Sequence, residues 1–144
     1  MIRLKTLALA FSLLPLAGIA ASAADLNITV KDVHNSTGTV YLVVYDESNF
    51  GKPQLAKVRQ KAPAVKGDIT FVVHDLPAGR YAVSSYQDEN GNGKLDTNSL
   101  GVPTEGFGFS NDAQPAGGPP KFNQAAFDFD GKANKSISFS LNYY

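Results

Sequence analysis

The chain contains no cysteine and no tryptophan, a single methionine and two histidines. Without thiols it can build neither disulfides nor thiolate metal sites, so its stability must come from packing, supplemented at most by a bound ion. His34 and His74 lie too far apart for zinc ligation, and no G-x-S-x-G or H-E-x-x-H motif accompanies either. Both read as exposed turn residues. Charge of one sign is also missing: 13 Lys and Arg meet 13 Asp and Glu. No basic run is interleaved with aromatics, which argues against nucleic acid as a partner. The longest apolar stretch, Leu7 to Leu16, is interrupted by Pro15 and followed by Gly18. It falls short of the roughly 20 residues a membrane-spanning helix needs.

What that stretch does have is the setting of a secretory signal peptide. Arg3 and Lys5 precede it, and the small residues Ala21-Ser22-Ala23 follow it. The expectation is a leader over residues 1–23 and a single exported domain over 24–144, periplasmic or secreted, without a membrane span. No cysteine follows the apolar run, so a lipid anchor is not expected. A chain of roughly 120 residues buries about two-thirds of its unfolded surface, enough for one two-layer core.

Period-two alternation dominates the rest, and no segment has the 3.6-residue periodicity of an amphipathic helix. Leu26, Ile28 and Val30 alternate with polar residues, and the turn cluster His34 to Gly38 leads to Thr39–Tyr45, read as the return strand of a hairpin. Both faces of that second strand are apolar, which predicts a central position. The 52–66 segment holds two prolines and five basic residues and reads as a polar connection with a short helical turn. Strands are predicted over Asp68–His74 and Arg80–Gln87, separated by the turn Leu76-Pro77-Ala78-Gly79, where Pro presets φ. Alternation returns at Ala125, Phe127 and Phe129, and again from Ser136 to Tyr143. Six to seven short strands with Gly, Pro and Asn turns predict an all-β antiparallel sandwich with one long loop between Gln87 and Phe122. An outer-membrane barrel fits less well, because Ser138, Ser140 and Asn142 share the face that would have to be apolar.

The long loop opens on the most informative stretch of the chain, Asp88-Glu89-Asn90-Gly91-Asn92-Gly93-Lys94-Leu95-Asp96. Oxygen-bearing side chains fall at relative positions 1, 3, 5 and 9, Gly at 6 and an aliphatic residue at 8, the pattern of a twelve-residue calcium loop. Such a turn brings alternate side chains inward around a hard cation, and Gly93 accepts the left-handed backbone required. The candidate ligands are the side chains of Asp88, Asn90, Asn92 and Asp96, with the backbone carbonyl of Lys94. Leu95 is expected to tie the loop to the core. Position 12 is Ser99 instead of the usual bidentate Glu, and Glu105, beyond a Gly-Val-Pro turn, is the candidate to close the sphere. The same residue types also make self-hydrogen-bonded Asx and Gly turns, so both readings stand. With few charged ligands, calcium affinity is expected in the range of about 0.1–1 mM. The acids Asp88, Glu89, Asp96 and Glu105 admit glycoside hydrolysis as an alternative, and Phe107, Phe109 and Phe122 could stack on sugars or form the loop's own small core.

Three segments, 75–83 (DLPAGRYAV), 88–96 (DENGNGKLD) and 101–111 (GVPTEGFGFSN), together resemble a bacterial exported family known only as domain of unknown function 2141. The resemblance extends over the early strand pair and the Pro120 to Phe127 region. It implies an Ig- or transthyretin-like sandwich in the cell envelope and suggests that 101–111 belongs to the same site as the acidic loop; it implies no activity. The functional expectation is a non-enzymatic envelope binding or accessory module with a calcium-ordered loop, its partner an envelope protein or glycan. The alternatives are an envelope glycan hydrolase and a purely structural protein.

Overall fold

The computed structural model describes residues 23–144, so the expected leader lies, except for Ala23, outside the described residues. The chain is an all-β sandwich. Its strands are β1 (Leu26–Val33), β2 (Thr39–Tyr45), β3 (Val58–Pro63), β4 (Gly67–Val73), β5 (Gly79–Asp88), β6 (Phe107–Phe109), β7 (Phe127–Phe129) and β8 (Lys135–Ser140), with one short α-helix, α1 (Phe122–Ala125), and three single-turn 3-10 helices among the described residues. One sheet runs β4-β1-β8. The other runs β3-β2-β5-β6, and β7 pairs with the start of β5.

Alternation determines which face each strand buries. Leu26, Ile28 and Val30 of β1 are fully buried, as are Val40, Leu42 and Val44 of β2, Val83 of β5 and Phe139 of β8. These side chains meet between the sheets in one core. Each such burial contributes about 1.5–3 kcal/mol. As its two apolar faces predict, β2 is central, hydrogen-bonded to β3 on one side and β5 on the other.

Four expectations are corrected. First, β1 and β2 do not form a hairpin: they lie in different sheets, and the 34–38 turn is an arch between layers. A local turn signal is the same whether the chain returns beside itself or crosses over the core. Second, the sandwich is not purely antiparallel, because β1 pairs with β8 in parallel. Third, the 52–66 connection contains β3. This is an edge strand whose Arg59 and Lys61 face solvent, so it shows little apolar alternation. Pro63 is tolerated because it ends an edge strand. Fourth, the stretch expected to lack strands contains β6, whose middle residue is Gly108. A Cβ there would lie 2.3 Å from the Ser140 carbonyl oxygen and 3.2 Å from the Phe139 ring. The close approach of β6 to β8 excludes any side chain at the inward position and so erases the pattern.

The aromatics of the long excursion are put to use. Phe107 and Phe109 pair opposite Tyr86 and Ser84. Phe122 joins Ala82, Ala113 and Ala125 in a second, smaller core, against which Phe50 and Phe109 pack. This small core covers one end of the outer face of the five-stranded sheet. The long loop thus reduces to residues 89–106.

Candidate functional site

Asp88, the last residue of β5, is buried in the protein with only 1% of its surface exposed. Its carboxylate accepts the backbone N–H groups of Gly91 at 2.8 Å, Asn92 at 3.2 Å and Gly93 at 2.8 Å. The chain therefore winds around Asp88, and the winding requires left-handed backbone at Gly91 (φ +77°) and Gly93 (φ +80°). Asn90 Oδ1 accepts from the Asn92 amide and Asn92 Oδ1 from the Lys94 amide, both at 3.1 Å. The carboxamide nitrogens of both asparagines point at Asp96: Asn92 Nδ2 lies 2.8 Å from each carboxylate oxygen, and Asn90 Nδ2 donates to Oδ2. These bonds, Asn92's first and Asn90's second, hold the Asp96 carboxyl below the usual carboxylate range.

Glu105, the residue expected to close the sphere, is brought to the loop by the fold. Its Oε1 accepts the Glu89 amide at 2.9 Å and its Oε2 the Asp96 amide at 3.0 Å, and the residue is buried. One carboxylate thereby fastens both ends of the turn. The 97–105 return is an arm held by Thr104 N to Asp96 O (2.9 Å) and Asn98 N to Val102 O (2.8 Å). Leu95 does not enter the core as expected. It is half-buried and lines the groove on the outer sheet face.

The oxygen donors of Asp88, Asn90, Asn92, Asp96 and Glu105, with the Lys94 carbonyl, are all hard, the chemistry that suits calcium and does not suit zinc. They are not a ready-made cage. Among the described residues no group of three His, Cys, Asp or Glu side chains is disposed to hold a metal ion. Donor nitrogens of Asn90 and Asn92 occupy the positions next to Asp96, and ion binding would require both carboxamides to turn. The N and O ends of a carboxamide have the same shape, so that exchange is sterically free, although it breaks the hydrogen bonds just described.

Three contributors around the site went unrecognised in the sequence. Gln87 is fully buried, and its Nε2 donates to Asn35 Oδ1 and Thr37 O, both at 2.9 Å. Its Oε1 accepts the Tyr143 hydroxyl at 2.7 Å, and that hydroxyl accepts the His34 amide at 2.8 Å. Tyr143, to which the sequence assigned no role, thus links the C-terminus, the β1–β2 arch and the root of the acidic loop. A glutamine inside an alternating strand could have signalled a buried polar tether. Tyr86 is the third; its hydroxyl donates to the Gly93 carbonyl at 2.9 Å, fixing the loop to the sheet. His74 pairs with Asp25 at 2.7 Å, and both histidines are exposed, as expected of turn residues.

Burial first, and then the neighbouring Tyr41 and Asp88, push the Tyr86 phenol from its ordinary 10.0 up to about 12. The folded protein holds this proton more tightly than the unfolded chain does. Stability should therefore be intact below about pH 10 and decline as pH rises toward 12. Difference absorbance titration of the protein against Tyr86→Phe checks this; a phenol that ionises near 10 would contradict it.

Residues 28–138 match the family described as an uncharacterized protein conserved in bacteria, domain of unknown function 2141. The chain belongs to this family. No curated protein and no solved structure matches it. Membership in the family agrees with the resemblance carried by the 75–83, 88–96 and 101–111 segments, all of which lie inside the matched range. Among the described residues no helix is long and apolar enough to cross a membrane.

Proposed function

We propose that this protein is a non-enzymatic binding module of the bacterial cell envelope, periplasmic or secreted, whose 88–105 loop is ordered by a weakly held calcium ion. The observation that carries the reading is a charge imbalance. Asp88, Asp96 and Glu105 gather in one loop, yet every hydrogen bond they accept comes from a neutral backbone or carboxamide N–H. The ion pairs among the described residues lie elsewhere, at Lys57–Asp46, His74–Asp25 and Arg80–Asp128. Lys94 is the one Lys or Arg of the loop and forms no ion pair with these three carboxylates, and a divalent cation would supply the remaining counter-charge.

The hydrolase alternative is less well supported, since both oxygens of Glu105 are committed to backbone amides and both of Asp96 to asparagine amides. Asp96, held below the usual carboxylate range, is a poor proton donor, and Glu105 is buried. A binding role is supported by the arm the loop presents. Leu100 is 85% exposed at its tip, and Val102 and Pro103 border a cavity of about 780 Å³ shared with Phe107, Pro119 and Tyr144. Loops on a rigid sandwich are where recognition surfaces are usually placed.

At about 1 mM calcium and a Kd of about 0.1 mM, the ion contributes about 1.4 kcal/mol. For a domain of this size that raises Tm by about 5 °C. Thermal melts with calcium and with chelator should differ by this amount in the native protein and coincide in Asp96→Ala. Coincident melts in the native protein would remove calcium from the reading.

A further inference from the structure

The outer face of the five-stranded sheet carries a groove that the calcium reading does not use. Two rows of side chains cross the strands there. Lys61, Tyr41, Tyr86 and Phe107 stand opposite one another in the first row, and Arg59, Val43, Ser84 and Phe109 in the second. The first row stands tall: Tyr41 and Tyr86 stack with ring centroids 5.0 Å apart, and the Lys61 ammonium lies 6.0 Å from the Tyr41 ring. The second row is low at its centre, where Val43 and Ser84 form the floor. Phe50 and Gln54 supply the facing bank, and Lys94 and Leu95 of the acidic loop border the end. The enclosed space is about 380 Å³, the size of a small-ligand pocket.

The lining has three properties that together define a ligand. Aromatic walls offer apolar contact to a flat, C–H-rich ring. Ser84 and Gln54 offer a hydroxyl and a carboxamide for directional bonds. Arg59 and Lys94 are the charged residues of the lining, and no Asp or Glu is among them. In a chain with as many acids as bases, this face is selectively cationic. The Asp88, Asp96 and Glu105 carboxylates of the adjoining loop accept hydrogen bonds from within that loop and are not part of the lining.

We propose that this groove seats an anionic sugar residue of an envelope polysaccharide, its ring between the aromatic walls and its carboxylate on Arg59. The inference rests on the reading of the chain as an envelope binding module, and it names the ligand class. A peptide fits the same groove less well. Both β2 and β5 are hydrogen-bonded on each side, so the floor offers no free strand edge for an extended backbone to pair with. The loop connects the two proposals physically, since Tyr86 donates to Gly93 and the next residue, Lys94, borders the groove.

Calorimetric and NMR titration of the full chain with trigalacturonate, with the neutral galactose trimer and with an acidic glutamate trimer tests the proposal. Trigalacturonate is expected to bind and to shift the amides of residues 41–43, 59–61 and 84–86. Binding should weaken with salt, and Arg59→Ala should lose about tenfold in affinity. Arg59 is exposed on an edge strand, so that variant keeps its fold; Lys132→Ala, far from the groove in sequence and outside its lining, should bind as the native protein does. Equal binding of the neutral trimer, equal or stronger binding of the glutamate trimer, unchanged affinity in Arg59→Ala, or no binding by any probe would each overturn it. Titrations run with calcium and with chelator separate the two readings. Binding that persists without any calcium effect on Tm keeps the groove and discards the ion, and a calcium effect without sugar binding does the reverse.

Discussion

Gly38→Ala is expected to lower stability by about 3–5 kcal/mol, enough to leave much of the protein unfolded at 37 °C. Gly38 has φ +80°, and a Cβ there would stand 1.9 Å from the Asp88 carbonyl oxygen and 2.8 Å from the Glu89 Cα. All the obstructing atoms are backbone, so no side chain can rotate aside. The β1–β2 arch is pressed against the first peptide of the acidic loop, and relief would require moving the site itself. Gly51 provides the control. Its φ is +77° but nothing lies within 4 Å of its added Cβ, so Gly51→Ala should cost only about 1 kcal/mol of backbone strain. Urea denaturation of both variants makes the comparison. Equal losses would mean that the contact between arch and loop is dispensable.

Glu105→Ala is expected to cost about 3 kcal/mol, or about 10 °C in Tm, by removing the acceptor for two part-buried backbone amides. Glu105→Gln should recover only part of this, because its carboxamide presents one acceptor and sets an N–H group against the second amide. Local opening is the sharper readout. Hydrogen exchange at Glu89 and Asp96 should accelerate in both variants, while β2 and β5 keep their protection in Glu105→Gln. Unchanged exchange at those two amides would show that something else fastens the turn. Because the effect arises from backbone hydrogen bonds, it should persist in the presence of chelator.

Much of the sandwich was legible because one-sided burial imposes a period of two on a strand. That holds for Leu26, Ile28 and Val30 of β1, and for the doubly apolar β2, which occupies the central position its composition predicts. It fails where other constraints outweigh apolar alternation. β3 lies at an edge and carries Arg59 and Lys61 outward. β6 has Gly108 at its inward position because the β8 backbone leaves no room. The assignment of β1 and β2 to different sheets was beyond local reading, because it depends on β8 arriving from more than a hundred residues away to pair with β1.

The acidic loop shows the same division. From order and spacing alone, the chain determined that Asp88, Asn90, Asn92, Lys94 and Asp96 share one tight turn, because left-handed glycines and Asx side chains act over four or five residues. Only tertiary structure decided what that turn is attached to: Glu105 across its mouth, Gln87 and Tyr143 beneath it, and Tyr86 fixing it to the sheet. Those partners are distant in sequence, and the reason they meet is the packing of the two sheets, which no short-range pattern encodes. The cationic, aromatic groove belongs to the same category. Its rows exist only once the registers of β3, β2, β5 and β6 align side chains from four separate segments on one face.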